Sequence, residues 1–167
     1  MSQAYDFAIF TDSSADLGED LVREMDIQVL PLSFTIQDRT YHNYPDNHEL
    51  SPHTFYKMLR EGQTATTAAV NVEQYLQAME PQLQAGRDVL VLAFSSGLSA
   101  TYNSSAIAAE ELREKGLAFS GTAQEEYGVL AGAVREILHL AIDAFAAGDS
   151  AAAAQVEPLE EVIDKLK

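Results

Sequence analysis

The apolar residues in the first two thirds of the chain fall into short runs separated by amphipathic stretches. Residues 6–11 and 88–94 are nearly continuous apolar runs, which predict strands buried inside a sheet. Residues 26–36 are rich in β-forming residues and predict a strand that bends or breaks at Pro31. The apolar positions within residues 16–25 share one helix face, so this stretch predicts a helix.

Helix signals fill the intervals between these strands. One helix is expected to begin with Ser51 as its cap and Pro52 in its first turn, and to end near Gly62. Two more are expected over about 73–85 and in the alanine-rich stretch that ends near Lys115. The alternation of strands and helices predicts an α/β fold with a parallel sheet flanked by helices. The stretches expected to be loops are 37–50 and 63–72.

The pattern changes near residue 116, after which only helix signals remain. An amphipathic stripe predicts a long helix over 123–147, the turn Gly148-Asp149-Ser150 follows, and 151–167 predicts a second helix. The sequence therefore predicts an α/β domain over residues 1–115 and a C-terminal αα-hairpin over residues 116–167.

Composition narrows the classes of function. The formal net charge of −16 disfavours a nucleic-acid partner, because phosphate binding needs clusters of Lys and Arg. The absence of cysteine excludes disulfides and thiolate metal sites and fits a reducing compartment. No apolar run reaches 18 residues and the N-terminus lacks a basic region before Asp12, so we expect a cytoplasmic protein without a membrane span.

Hydroxyl side chains cluster where predicted strands end. In parallel sheets, ligands bind beyond the carboxyl ends of the strands. Hydroxyls and backbone N–H groups at a helix N-terminus suit a carboxylate or phosphate. The other interpretation is that these residues only cap helices and complete turns. The clusters at strand ends are Thr-Asp-Ser-Ser at 11–14 and Ser95, Ser96, Ser99 and Thr101 after the strand at 88–94, and Thr64, Thr66 and Thr67 lie together on the predicted loop 63–72.

Catalysis and metal binding have weaker signals. The G-x-S-x-G motif that would support Ser96 as a nucleophile is absent, as are the P-loop and G-x-G-x-x-G motifs, so we expect no enzyme and no cofactor. A hydrolase remains an alternative. Glu160 and Asp164 share one helix face and are weak candidates for a metal site, the alternative being a solvated acidic face. His42, His48 and His53 are also weak candidates for a metal site, because their spacing is irregular and histidines in loops are usually solvated.

Five segments together resemble the N-terminal domain of the DegV family over about residues 5–114. These segments are FTDSSADL at 10–17, IQVLPLSF at 27–34, FYKMLREG at 55–62, TATTAAVN at 64–71 and LAFSSGLSATYNSSAIAAEEL at 92–112. The resemblance implies a bacterial protein that binds a long-chain fatty acid and presents it to a fatty-acid kinase. It also implies that the acyl carboxylate is held by Thr66, Thr67, Ser95, Ser96 and Ser99. Ala100 replaces the glycine usual in the family's Leu-Ser-Gly-Thr-Tyr.

The segment 116–167 resembles instead a PhoU-type helical hairpin, as found in the cytoplasmic tails of sodium/phosphate cotransporters. DegV proteins continue with a second α/β domain, and the acyl chain lies between the two domains. The expectation is therefore a fusion of two partial domains, in which fatty-acid binding is weakened. The alternative function is a regulatory or interaction protein that uses the hairpin for self-association as a homo-oligomer or for metal-dependent docking.

Overall fold

The computed structural model describes residues 7–117, 120–149, 151, 154, 156 and 158. The chain divides into two compact units, residues 1–118 and 119–167. In chain order the strands and helices are β1 (Phe7–Asp12), α1 (Glu19–Glu24), β2 (Ile27–Leu30), β3 (Ser33–Ile36), β4 (Arg39–His42), α2 (Pro52–Arg60), β5 (Ala65–Ala68), α3 (Val72–Gln84), β6 (Asp88–Leu92), α4 (Thr101–Glu114) and α5 (Gly121–Ala147).

The larger sheet, sheet A, is parallel and confirms the predicted α/β class. Its strand order is β2-β1-β6, and β1 pairs in parallel with both neighbours. Helix α1 packs on β2, and α3 packs on β6 and on α4. The central strand carries the fully buried Phe10, and α3 covers the sheet with the buried side chains of Tyr75 and Met79. The core thus lies between sheet A and the α3–α4 pair.

A second, antiparallel sheet, sheet B, was not expected from the sequence. Its order is β4-β3-β5, and both β4 and β5 lie in stretches that the sequence analysis assigns to loops. The two-residue connection between β3 and β4 consists of Gln37 and Asp38, both with positive φ. Such a turn matches the twist of a hairpin, but its usual sequence signal is Asn-Gly or Asp-Gly. The hairpin was missed because this signal is absent.

The predicted break at Pro31 is confirmed. Pro31 and Leu32 separate β2 from β3, and these two strands belong to different sheets. The helix starts are confirmed where capping residues mark them: the Ser51 hydroxyl accepts the N–H of Thr54 at the start of α2. The helix expected over 16–25 is shorter and begins at Glu19, because Asp16 has a φ of 51°, which does not belong to a right-handed helix.

The second unit contains α5, which begins at Gly121 and ends at Ala147 as a single helix of 27 residues. Gly148 follows it with a φ of 63°, a conformation typical of the residue that ends a helix. Most of the predicted second helix, 151–167, lies outside the described residues, and the hairpin stays a prediction. No helix among the described residues combines the length and hydrophobicity that crossing a membrane requires.

Candidate functional site

The three strands of sheet A end side by side, at Asp12, Leu30 and Leu92. This edge of the sheet, with the segments that leave it, is called the carboxyl edge below. Because all three strands are parallel, the segments after them emerge on the same side of the sheet. They comprise the 3-10 turn after β1, the Pro31-Leu32 connection after β2, and residues 93–100 after β6.

Asp12 joins two of these segments from inside the protein. Its side chain is fully buried. One carboxylate oxygen, Oδ1, accepts the N–H of Ser14 at 3.0 Å and the hydroxyl of Ser14, and so caps the 3-10 turn. The other, Oδ2, accepts the N–H of Phe94 at 2.7 Å. Asp12 therefore fixes the start of residues 93–100 against the end of the central strand.

Two buried hydroxyls brace the same edge. Thr11 donates its hydroxyl to the carbonyl of Leu92 at 2.9 Å, and Ser13 accepts the N–H of Leu32 at 3.0 Å. Both side chains are buried. The hydroxyl cluster after β1 thus holds strand ends together, in agreement with its structural interpretation. Its residues Asp12 and Ser13 were not singled out as site residues from the sequence, because nothing in a Thr-Asp-Ser-Ser run indicates that the carboxylate is buried.

Residues Ser95–Ser99, called the serine loop below, form a tight turn between β6 and α4. The carbonyl of Ser95 accepts the N–H groups of Leu98 and Ser99 at 2.9 and 3.0 Å. The hydroxyl oxygen of Ser95 accepts the N–H of Gly97 at 3.3 Å, and both Ser95 and Ser96 are exposed. The hydroxyls of Ser95 and Ser96 therefore face solvent at the carboxyl edge.

Ser99 differs from the other two serines because it is engaged at the start of α4. Its hydroxyl oxygen accepts the N–H of Thr101 at 3.2 Å and lies 2.9 Å from the hydroxyl oxygen of Thr101. Ser99 thus satisfies one of the free N–H groups of the first helical turn. Its contacts in the structure are those of a capping residue.

Thr66 and Thr67 lie on strand β5, not on a loop, and this separates their side chains. Thr66 is paired with Thr35, and Thr67 is paired with Phe34. Successive side chains of a strand point to opposite faces of a sheet. Thr66 therefore shares a face with Thr35, whereas Thr67 shares the other face with Phe34 and its partner Tyr41.

The two faces of sheet B have different chemistry. On one face the hydroxyl oxygens of Thr35 and Thr40 lie 2.9 Å apart. On the other, the rings of Phe34 and Tyr41 stack with centroids 5.5 Å apart, and Phe34 meets Phe55 of α2 edge-on at 5.0 Å. Thr67 is exposed at the edge strand of this aromatic face. One face is thus rich in hydroxyls and the other is aromatic.

Sheet B is tied to the carboxyl edge at the end where β3 begins. The carbonyl of Leu32 accepts the N–H of Asn43 at 2.8 Å, and the side-chain amide of Gln74 reaches the carbonyl of Pro31 at 3.5 Å. The last residue of β5, Ala68, pairs with Ser33 at this end. Within the described residues no hydrogen bond joins Thr66 or Thr67 to the serine loop. The structure thus brings the serines together on one loop and leaves the threonines on a neighbouring sheet.

Exposed apolar side chains lie in the serine loop and on both sides of it along the chain. Leu92 is 56% exposed and Leu98 is 75% exposed, and Phe94 and Tyr102 are exposed as well. Large apolar side chains exposed in a contiguous stretch of a folded protein usually mark a surface that contacts another molecule. The polar loop and its apolar flanks together suit an amphipathic ligand.

Two of the three histidines considered as weak metal candidates, His42 and His48, are paired with carboxylates. His42 donates its backbone N–H to Glu49 at 2.6 Å, and its Nδ1 lies 3.2 Å from the same carboxylate. His48 Nδ1 lies 2.6 Å from Asp46. Among the described residues no three His, Asp or Glu side chains are grouped so as to hold a metal ion. The other weak candidates, Glu160 and Asp164, lie outside the described residues.

These pairs predict a measurable pH dependence in the segment between β4 and α2. The hydrogen bond from His48 lowers the pKa of Asp46 below its ordinary value of 3.8, and the backbone N–H of His42 lowers that of Glu49 below 4.5. Since both pKa values are depressed by folding, the pairs stabilise the fold above the unfolded-state values, and this contribution is lost as the pH falls through the folded-state values. Carboxyl carbon NMR titration should give midpoints below 3.8 and 4.5.

His48→Ala provides the matched test of this pairing. The variant should return the midpoint of Asp46 towards 3.8 and move that of Glu49 far less, because the largest cause at Glu49 is the backbone of His42. Ordinary midpoints in the unchanged protein would contradict the pairing.

The parallel sheet flanked by helices, with hydroxyl-bearing segments and exposed apolar side chains at its carboxyl edge, defines an α/β protein. The sequence profile described as "Uncharacterised protein, DegV family" matches residues 6–165. The chain belongs to the DegV family.

Relatives and solved structures agree with this assignment. A DegV domain-containing protein of Clostridium perfringens is 48% identical over 109 residues, which cover 65% of this chain and 37% of the relative. A DegV lipid binding protein from Thermotoga maritima is 33% identical with a TM-score of 0.56, over 63% of this chain and 38% of that one. DegV from Bacillus subtilis, a fatty acid binding protein, is 25% identical with a TM-score of 0.56, over 65% of this chain and 38% of that one.

The extent of these matches bears on the domain prediction. The chain spans little more than a third of the length of the curated relatives that it matches. The DegV profile continues to residue 165 and includes most of the segment that resembles a PhoU-type hairpin. The expected change of family near residue 116 is therefore not shown.

Proposed function

We propose that this protein binds a long-chain fatty acid without catalysing a reaction, with the acyl carboxylate at the serine loop. The observation that carries the proposal is the exposure of Ser95 and Ser96 on a loop that also carries exposed Leu98 and that follows exposed Leu92 and Phe94. Membership of the DegV family and the similarity to solved proteins described as lipid or fatty acid binding support it.

The chemistry of the loop suits a carboxylate head group. Hydroxyls donate hydrogen bonds to a carboxylate without placing a cation in the site, and charge-assisted bonds of this kind are stronger than neutral ones. The serine loop also leads into the N-terminus of α4, a helix of 14 residues whose dipole favours a negative charge there. Each methylene of the acyl chain buried on the apolar flanks contributes about 0.8 kcal/mol.

The five site residues inferred from the resemblance have different roles in this proposal. Ser95 and Ser96 donate hydroxyls to the head group, and Ser99 keeps the loop in register with α4. Thr67 is the threonine that contributes, because it lies at the edge of the aromatic face and one residue nearer than Thr66 to the end tied to the carboxyl edge. Thr66, on the hydroxyl face, contributes less.

Thr67→Val and Thr66→Val form a matched pair for testing this assignment. Valine keeps the branched shape and removes only the hydroxyl, so strand β5 should persist in both variants. Loss of one hydrogen bond to a charged group should weaken palmitate binding about tenfold in Thr67→Val, and Thr66→Val should change it less than about twofold. Isothermal titration calorimetry gives both values.

Two results would count against these proposals separately. Equal losses in the two variants would contradict the assignment of faces. Failure of the unchanged chain to bind palmitate, together with no fatty acid in solvent extracts of the purified protein by mass spectrometry, would contradict fatty-acid binding itself.

The family resemblance also supports a place for the protein in the cytoplasm and a fatty-acid kinase as its partner. An exposed serine loop would leave the bound carboxylate within reach of such a partner. Self-association through a C-terminal hairpin is not favoured, because the DegV profile extends through that segment.

A further inference from the structure

We propose that Asp12 is the positioning residue of the serine loop, so that head-group binding depends on a carboxylate that never touches the ligand. This inference rests on the proposed function, because it names the residue that controls the geometry of the same site. Asp12 is fully buried and lies at the end of the central strand.

The hydrogen bonds of Asp12 reach both segments that flank its strand. Oδ1 holds the backbone N–H of Ser14 at 3.0 Å, and Oδ2 holds the backbone N–H of Phe94 at 2.7 Å. Phe94 directly precedes the serine loop. After Leu92 the strand pairing ends, so the bond from Phe94 to Asp12 is the contact that sets the direction in which the loop departs.

A carboxylate is the side chain that can make this connection. Both of its oxygens accept, and here each oxygen faces a backbone N–H donor. An asparagine would have to present its NH₂ group to one of the two N–H groups, which leaves a buried donor without a partner. Asp12→Asn therefore breaks the link on one side while it preserves the shape of the residue.

The surroundings of Asp12 strengthen these bonds. Tyr75 of α3 is fully buried, and its hydroxyl has no hydrogen-bond partner among the described residues. Burial, and secondarily the negative charge of Asp12, raise the pKa of Tyr75. Asp12 and Tyr75 are both buried away from solvent, and in such an environment a charge-assisted hydrogen bond is stronger than in water.

The test compares Asp12→Asn with Thr11→Val in the full chain. Thr11→Val removes the neighbouring bond to the Leu92 carbonyl and so loosens the same pair of strands without touching Phe94. We expect palmitate affinity to fall at least about tenfold in Asp12→Asn and clearly less in Thr11→Val, because Thr11 holds the end of β6 but makes no bond to Phe94. In the ligand-free protein, amide NMR signals of residues 94–99 should shift more in Asp12→Asn than in Thr11→Val, and equal changes in the two variants would overturn the inference.

The two readouts separate this inference from the proposed function. If the unchanged protein binds no palmitate, fatty-acid binding fails, while the ligand-free amide shifts still decide the role of Asp12. Unchanged signals for residues 94–99 in folded Asp12→Asn, or unchanged palmitate affinity in a variant that binds, would overturn the inference. If Asp12→Asn does not fold, native-state hydrogen exchange of the unchanged protein provides the test. The Phe94 amide should exchange through the same opening event as the amides of β6. Exchange through a local opening, like that of the Ser96 amide, would overturn the inference.

Discussion

Phe10→Ala should lower the free energy of unfolding by about 3–5 kcal/mol, because the ring is fully buried at the centre of the parallel sheet. Phe10 lies on the central strand, opposite Gln28 of β2 and Val91 of β6, where the surrounding strands cannot close over the lost volume. Stabilities of single domains are about 5–15 kcal/mol, so the variant loses a large share of its stability. Urea unfolding followed by circular dichroism measures the change.

Phe145→Ala is the matched control for that measurement. The same truncation at a side chain that is 91% exposed should change the free energy of unfolding by less than about 0.5 kcal/mol. A loss below about 1 kcal/mol in Phe10→Ala would show that the centre of sheet A does not determine stability as the structure indicates.

Leu98→Asp should abolish most fatty-acid binding and leave the fold intact. Leu98 is 75% exposed at the tip of the serine loop, so it costs little to replace in the free protein. Burial of a leucine side chain contributes about 1.5–3 kcal/mol, which corresponds to about 10-fold to 100-fold in affinity. The introduced carboxylate also repels the head group of the fatty acid. Isothermal titration calorimetry with palmitate measures the affinity.

Met25→Asp introduces the same charge at the opposite edge of the sheet. Met25 is 49% exposed and lies in the two-residue connection between α1 and β2, so it is at the edge where β2 begins. Its palmitate affinity should stay within about twofold of the unchanged protein, since electrostatic effects between exposed groups are screened beyond roughly 10 Å. Similar losses in Leu98→Asp and Met25→Asp would indicate an effect of net charge rather than contact with the acyl chain.

Sheet A was predictable because its strands are encoded locally. The apolar runs that became β1 and β6 are too short for helices and are bounded by polar residues, and Pro31 cannot continue a ladder of hydrogen bonds. The capping residue Ser51 likewise marks a helix start through its bond to the N–H group three residues later. Asn71 caps α3 in the same way, a signal that the sequence analysis did not use. The placement of hydroxyls after the strands followed from the same reasoning.

Sheet B and the internal bracing of the site were not predictable because they depend on distant partners. Strands β4 and β5 are four residues each, and β5 consists only of alanine and threonine. Both strands pair with β3, and no local pattern in residues 37–50 or 63–72 indicates this pairing. Whether Thr66 and Thr67 act together depends on that pairing, since a loop would allow them to converge and a strand does not. The burial of Asp12 is equally a tertiary effect, because isolated acidic residues are usually solvated.

The connection between the two sheets has a mechanical consequence for ligand entry. A two-residue link would ordinarily act as a hinge, yet Pro31-Leu32 is bonded to Ser13 after β1 and to Gln74 of α3. Movement of sheet B away from sheet A would break both hydrogen bonds, while the bond from Asn43 to Leu32 keeps the link in register with sheet B. We therefore expect the aromatic face of sheet B and the serine loop to move as one rigid unit. An acyl chain would then enter without separation of the two sheets.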